Sequence, residues 1–135
     1  MKNQITFIIA AGLLILTVLG CGQLMKPVRK STPDFEISVE QLAGEFKQNE
    51  SAAGSKYNGK TLAVTGRVDG KRYGTMLVFK TDNRRDGFLV QCFFDKDGAD
   101  SYRKIKDGQE VTMLGLCKGR HTNDGPLMIT QCILR

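Results

Sequence analysis

Between Lys60 and Asp69 the chain alternates, with Leu62, Val64, Gly66 and Val68 on one side and Thr61, Ala63, Thr65 and Arg67 on the other. A period of two places each set on one face of a β-strand, here with an apolar inner face. Just upstream the period lengthens. Val39, Leu42, Ala43 and Phe46 are spaced as one stripe of a helix, with Ser38 at the N-cap and Gln41 where a capping-box partner stands. The spacing predicts a helix over Val39–Gln48, with a weaker helical continuation through Ser51, Ala52 and Ala53 that Tyr57-Asn58-Gly59 breaks.

Downstream, Asp69-Gly70 and Gly74 mark a turn before a second strand, Thr75 to Lys80, and Asn83, Asp86 and Gly87 mark another before a third, Phe88 to Asp95. Ala99 to Lys106 is polar with Tyr102 and Ile105 three apart, which suits one or two helical turns closed by Asp107-Gly108. A fourth strand is expected over Gln109–Lys118 and a fifth over Leu127–Leu134. A helix, three strands, a short helix and two strands is the order of a mainly β (α+β) five-stranded Greek-key barrel, the OB-fold, with an N-terminal helix and a short helix between strands three and four. The rival is an open α+β sheet with the helix on one face, but closure removes the edges such a sheet would expose.

The run Ala53 to Lys60 into Val64-Thr65-Gly66-Arg67-Val68 resembles the tRNA_anti-like group of bacterial OB-fold proteins, many of them lipoproteins. So do Val90-Gln91-Cys92-Phe93, Gly108 to Thr112 with Gly115 and Cys117, and Gln131-Cys132. The likeness spans about Ser38 to Leu134 and rests on glycines and alternating apolar positions, so it implies a fold more than an activity.

The N-terminus resembles a bacterial lipoprotein signal: Lys2, an apolar stretch from Ile5 to Leu19, then Val18-Leu19-Gly20-Cys21. The apolar stretch is about 15 residues, short of the roughly 20 that cross a bilayer as a helix. The resemblance implies cleavage after Gly20 and acylation of Cys21, where two or more chains anchor stably and one only marginally. The alternative is an uncleaved anchor helix with a buried cysteine. The expected organisation is a signal over residues 1–20, a lipidated tether over 21–35 and the OB-fold domain over 36–135. The location implied is the cell envelope outside the cytoplasm, with Gly22 after Cys21 favouring the periplasmic face of an outer membrane where the source has one.

Removing residues 1–20 from the 135 leaves 115, enough for one small core. Net charge is +6, or +5 without Lys2, with both signs interspersed, an ordinary value for solubility. From Gly22 to Pro33 the chain has two prolines and the cations Lys26, Arg29 and Lys30 but no apolar period. It reads as a mobile tether that holds the domain off the lipid.

With Cys21 acylated, Cys92, Cys117 and Cys132 remain, an odd number for an oxidising compartment. Asp124-Gly125 is a two-residue hairpin turn, and counting outward from it pairs residues whose numbers sum to 249, as Cys117 and Cys132 do. Facing Cα atoms about 5 Å apart accept a disulfide, which would stabilise by roughly 3 kcal/mol. Pro126 could shift the register by one; Cys92 with Cys132 is then the competing pair, and three reduced core thiols the third arrangement. The three lack the CxxC spacing of a thiolate metal site.

Catalytic chemistry has little to stand on: one histidine, His121, no phosphate-cradling glycine loop and no local nucleophile–base signature. Asp95, Asp97 and Asp100 follow the third strand as turn and helix caps do, rather than as a calcium site. No catalytic residue, metal or cofactor is assigned. Binding is better supported, because OB barrels bind through the loops joining strands one to two and four to five. The first carries Lys71, Arg72 and Tyr73, the second Lys118, Arg120 and His121, and Arg67 projects from the polar face of the first strand. The expectation is a non-catalytic, membrane-anchored module for an envelope protein or glycan. The alternative is single-stranded nucleic acid or another polyanion, for which cations and a stacking ring are suited.

Overall fold

The structure, a computed structural model, describes residue 28 and residues 32–82 and 88–135. The expected signal segment, Cys21, most of the expected tether and the turn residues Asn83, Asp86 and Gly87 lie outside the described residues. In chain order the elements are β1 (Phe35–Ser38), α1 (Val39–Gln48), α2 (Glu50–Tyr57), β2 (Thr61–Arg72), β3 (Met76–Phe79) and β4 (Val90–Phe93). A 3-10 turn (Lys96–Gly98), α3 (Ala99–Lys104), β5 (Glu110–Arg120) and β6 (Leu127–Leu134) complete the chain.

Strands β2, β3, β4, β6 and β5 close a five-stranded barrel, because β2 pairs with β3 along its second half and with β5 along its first. All ring pairings are antiparallel except β4 with β6. This is the OB-fold expected from the element order. β1 was not foreseen: Phe35 and Ile37 alternate with Glu36 and Ser38, but over only four residues just after Pro33. It adds to β2 in parallel, Phe35 opposite Leu62 and Ser38 opposite Thr65.

Helix α1 forms over the expected residues. Ser38 Oγ accepts from the Gln41 backbone N–H at 3.1 Å, while the Gln41 side chain donates to Glu45 instead of returning to the cap, so only half of a capping box is made. Its stripe of Val39, Leu42, Ala43 and Phe46 is buried on the barrel, each large member contributing about 1.5–3 kcal/mol. Gly66 on β2 permits this approach, since a Cβ there would stand 2.6 Å from Val39 Cγ1. The helical continuation is a separate helix, because Asn49 ends α1 through its N–H to the Glu45 carbonyl and starts α2 by accepting from the Ala52 N–H at 3.0 Å. At the far end of α2, Tyr57 is enclosed against Phe35 and Phe46, with ring centroids 5.1 and 6.2 Å away.

The strands differ from expectation mainly at irregularities. A bulge between Val68 and Gly70 carries β2 past Asp69-Gly70, so the turn falls at Tyr73-Gly74. β4 stops at Phe93 because Asp95 caps the following 3-10 turn, its Oδ1 accepting from the Asp97 and Gly98 N–H groups at 2.9 and 3.1 Å.

The cysteine pairing also changes. Arg120 faces Leu127, so the hairpin is centred on Asn123-Asp124 rather than Asp124-Gly125, and a further one-residue shift leaves Cys117 opposite Ile129 rather than Cys132. The expected Cys117–Cys132 bond is therefore not formed, and Cys92, Cys117 and Cys132 are buried free thiols. One shift sits at Gly119, whose φ of 77° opens a left-handed kink under the Asn58 side chain. Burial pushes the Cys117 thiol up. Cys132 is pushed further up, by burial first and then by Cys92 beside it.

Candidate functional site

The loops expected to bind stand at opposite ends of the barrel. Along the β2–β5 ladder Thr61 faces Leu116 and Arg67 faces Glu110, so the end of β2 and the end of β5 point away from each other. Each therefore has to be judged alone.

At the β5–β6 end Arg120 is part of the frame. Its guanidinium bonds the Glu50 carboxylate at 3.2 Å and the Gly125 carbonyl at 2.8 Å, and lies 5.0 Å from the Phe88 ring centroid. With a side chain only 13% exposed, it braces α2 against the hairpin and is not offered to a ligand. Lys118 and His121 are exposed nearby. The cation that the sequence pattern placed between them is spent on a partner, Glu50, that lies seventy residues away.

At the β2–β3 end Lys71 is also engaged, its ammonium donating to the Ile105 carbonyl at 3.1 Å and lying 4.2 Å over the Tyr102 ring. Arg72 is exposed and folds back to the Lys71 carbonyl. Tyr73 is different. Thr75 N–H bonds the Arg72 carbonyl across Tyr73-Gly74, whose φ values of 54° and 70° describe a type I′ turn. Such a turn favours Asn, Asp or Gly at its first central position, and a bulky residue there is strained. Tyr73 occupies it with its side chain 91% exposed, the exposed large hydrophobic among the described residues.

Between the two ends runs the outer face of β3 and β4. Leu77, Phe79, Val90 and Cys92 point into the core, which leaves Met76 and Val78 on the other side. Those two are 8% and 7% exposed, so this face is no open platform. Arg67 lies elsewhere, at the rim of a shallow depression of about 330 Å³ beside the start of α1. There Arg67 and Lys80 meet Glu40, Asp82 and Glu110. Glu40 already accepts the Asp82 N–H, and Arg67 donates to the Gly108 carbonyl. Three acids against two bases make a poor seat for a polyanion, and nothing local in the sequence announced the acids' convergence.

Residues 1–133 match the sequence profile of the tRNA_anti-like family. The chain belongs to the tRNA_anti-like family. Among solved structures, this tRNA_anti-like chain is similar to one from Klebsiella pneumoniae subsp. pneumoniae that carries the name of a nucleic acid-binding lipoprotein. The two are 16% identical with a TM-score of 0.56, over 74% of this chain and 90% of that one. At that identity the likeness speaks for the fold. No curated protein sequence matches this tRNA_anti-like chain significantly. Among its described residues no cluster of His, Cys, Asp and Glu is arranged to hold a metal.

Proposed function

We propose that the protein is a non-catalytic binding module, held at a membrane by acyl chains on Cys21, that grips an envelope protein or glycan through the β2–β3 turn. The observation that carries this is Tyr73, a bare aromatic ring in a strained turn position. Strain at an exposed residue persists when the ring is used, and an amphipathic ring stacks on sugars and protein surfaces alike. The engaged state of Lys71 and Arg120 favours a ligand recognised by shape and stacking over one recognised by charge.

Single-stranded nucleic acid is the second reading. The name of the Klebsiella relative and the Arg72-Tyr73 pair favour it, since a stacking ring beside a cation suits bases and phosphate. Titrating the acylated protein with envelope glycan fragments and with single-stranded oligonucleotides, at low and high salt, separates the two. Binding that persists in salt and is lost in Tyr73→Ala supports the first. Oligonucleotide affinity that falls steeply with salt supports the second, and no effect of Tyr73→Ala on any binding overturns both.

A further inference from the structure

One patch of the barrel's outside is apolar and covered. Ala63 sits between inward-facing Leu62 and Val64, so it points outward, and Leu114, opposite it on β5, does the same. Leu116 on β5 and Ile133 on β6 border them. Around this strip the outer face is polar: Thr65 and Thr112 join hydroxyls at 2.7 Å, and Arg135 pairs with Glu36. Ala63 and Leu114 are nevertheless only 2% and 7% exposed, and the side chain in their cluster from outside the barrel is Val28, itself 4% exposed. Val28 comes from the stretch that sequence pattern read as a free tether.

We propose that Val28 straps the N-terminal tether onto the β2–β5–β6 flank and thereby turns that flank toward the lipid bilayer. The inference rests on the reading of Cys21 as the lipid anchor. The geometry follows from chain length. From Cys21 to Val28 is seven residues, a reach of at most about 25 Å, whereas a tether free up to Asp34 would reach roughly 45 Å. Fixing the chain at Val28 therefore halves the distance the barrel can stand off and selects one side of it. Tyr73 lies ten residues along β2 from Ala63, a strand path of about 30 Å. The proposed binding turn is thus kept clear of the lipid.

The test uses the acylated full-length mature protein on phosphatidylcholine vesicles containing phosphatidylglycerol, with flotation, trypsin cleavage after Arg29 and Lys30, and methyl NMR broadening by headgroup nitroxides. The wild type should float, resist cleavage, and show broadening at Leu116 and Ile133 but none at the Tyr73 turn. Val28→Asp should still float, be cleaved about tenfold faster as the strap detaches, and lose the contrast between the two sides. Leu114→Asn, which changes the barrel's half of the contact, should do the same. If both proteins float and cleavage and broadening match, the strap is overturned while the anchor stands. If neither floats, the anchor and the membrane-facing flank fall together, and the cleavage ratio alone decides whether Val28 is docked.

Discussion

The two hairpin ends of this barrel have similar sequences, each with two cations and a ring-bearing residue, yet their side chains are disposed in opposite ways. At the β5–β6 end the cation is locked by Glu50, the Gly125 carbonyl and Phe88, and the strand kinks at Gly119 under Asn58. At the β2–β3 end a ring stands in solvent on a backbone that disfavours it. Composition told the two apart in neither case. The partners did, and they come from α2 and α3, far off in sequence.

The largest effect is expected at Gly119. Gly119→Ala adds left-handed strain and a Cβ 2.6 Å from Asn58 Oδ1, and should cost about 2–3 kcal/mol in urea unfolding. A cost near zero would mean that this end is not a rigid frame. Arg120→Ala should cost about 1–2 kcal/mol, because Glu50 and the Gly125 carbonyl lose a shielded partner. It should leave ligand binding unchanged. The open end should respond with the reverse pattern: Tyr73→Gly relieves the positive φ and should raise stability by roughly 1 kcal/mol while abolishing binding. A loss of stability in that variant would show the ring to be structural.

The smallest effect concerns acid. The Tyr57 hydroxyl first, helped by Gln41 and Lys56, holds the Glu45 carboxyl below its ordinary value of 4.5 against the opposing effect of burial, which ranks second. A lowered folded pKa contributes stability above the ordinary value and loses it as pH falls through the folded one. Glu45→Gln should therefore lower stability at pH 7, with the difference fading as pH falls through the folded value, and the change should be small because the pair is partly exposed. The loss should be specific to the α1–α2 corner in hydrogen exchange, with the Tyr73 turn unaffected.

The ring of strands was legible because its determinants are local. The apolar stripe of α1 and the alternation that starts β2 each carry their own period. What escaped was set by contacts across the chain. The hairpin is centred one residue earlier than Asp124-Gly125, with Arg120 opposite Leu127, and a bulge follows at left-handed Gly119, so counting outward from Asp124-Gly125 missed the cysteine register. β1 escaped because four residues carry too little pattern, and its reason for being a strand is the parallel edge of β2. The charges of Lys71 and Arg120, expected to bind, are used by Ile105, Tyr102 and Glu50, which no spacing reveals.

Asn49 links two of these features. Because one asparagine closes α1 and opens α2, the corner contains no slack residue. One residue inserted within α2 would rotate everything beyond it by about 100°, so Tyr57 and Glu50 could not both keep their places. The corner thus acts as a phase lock: it sets the angular offset between an interior ring and an exterior brace, and lets a single helix of eight residues report the packing of the barrel's inside to the hairpin outside.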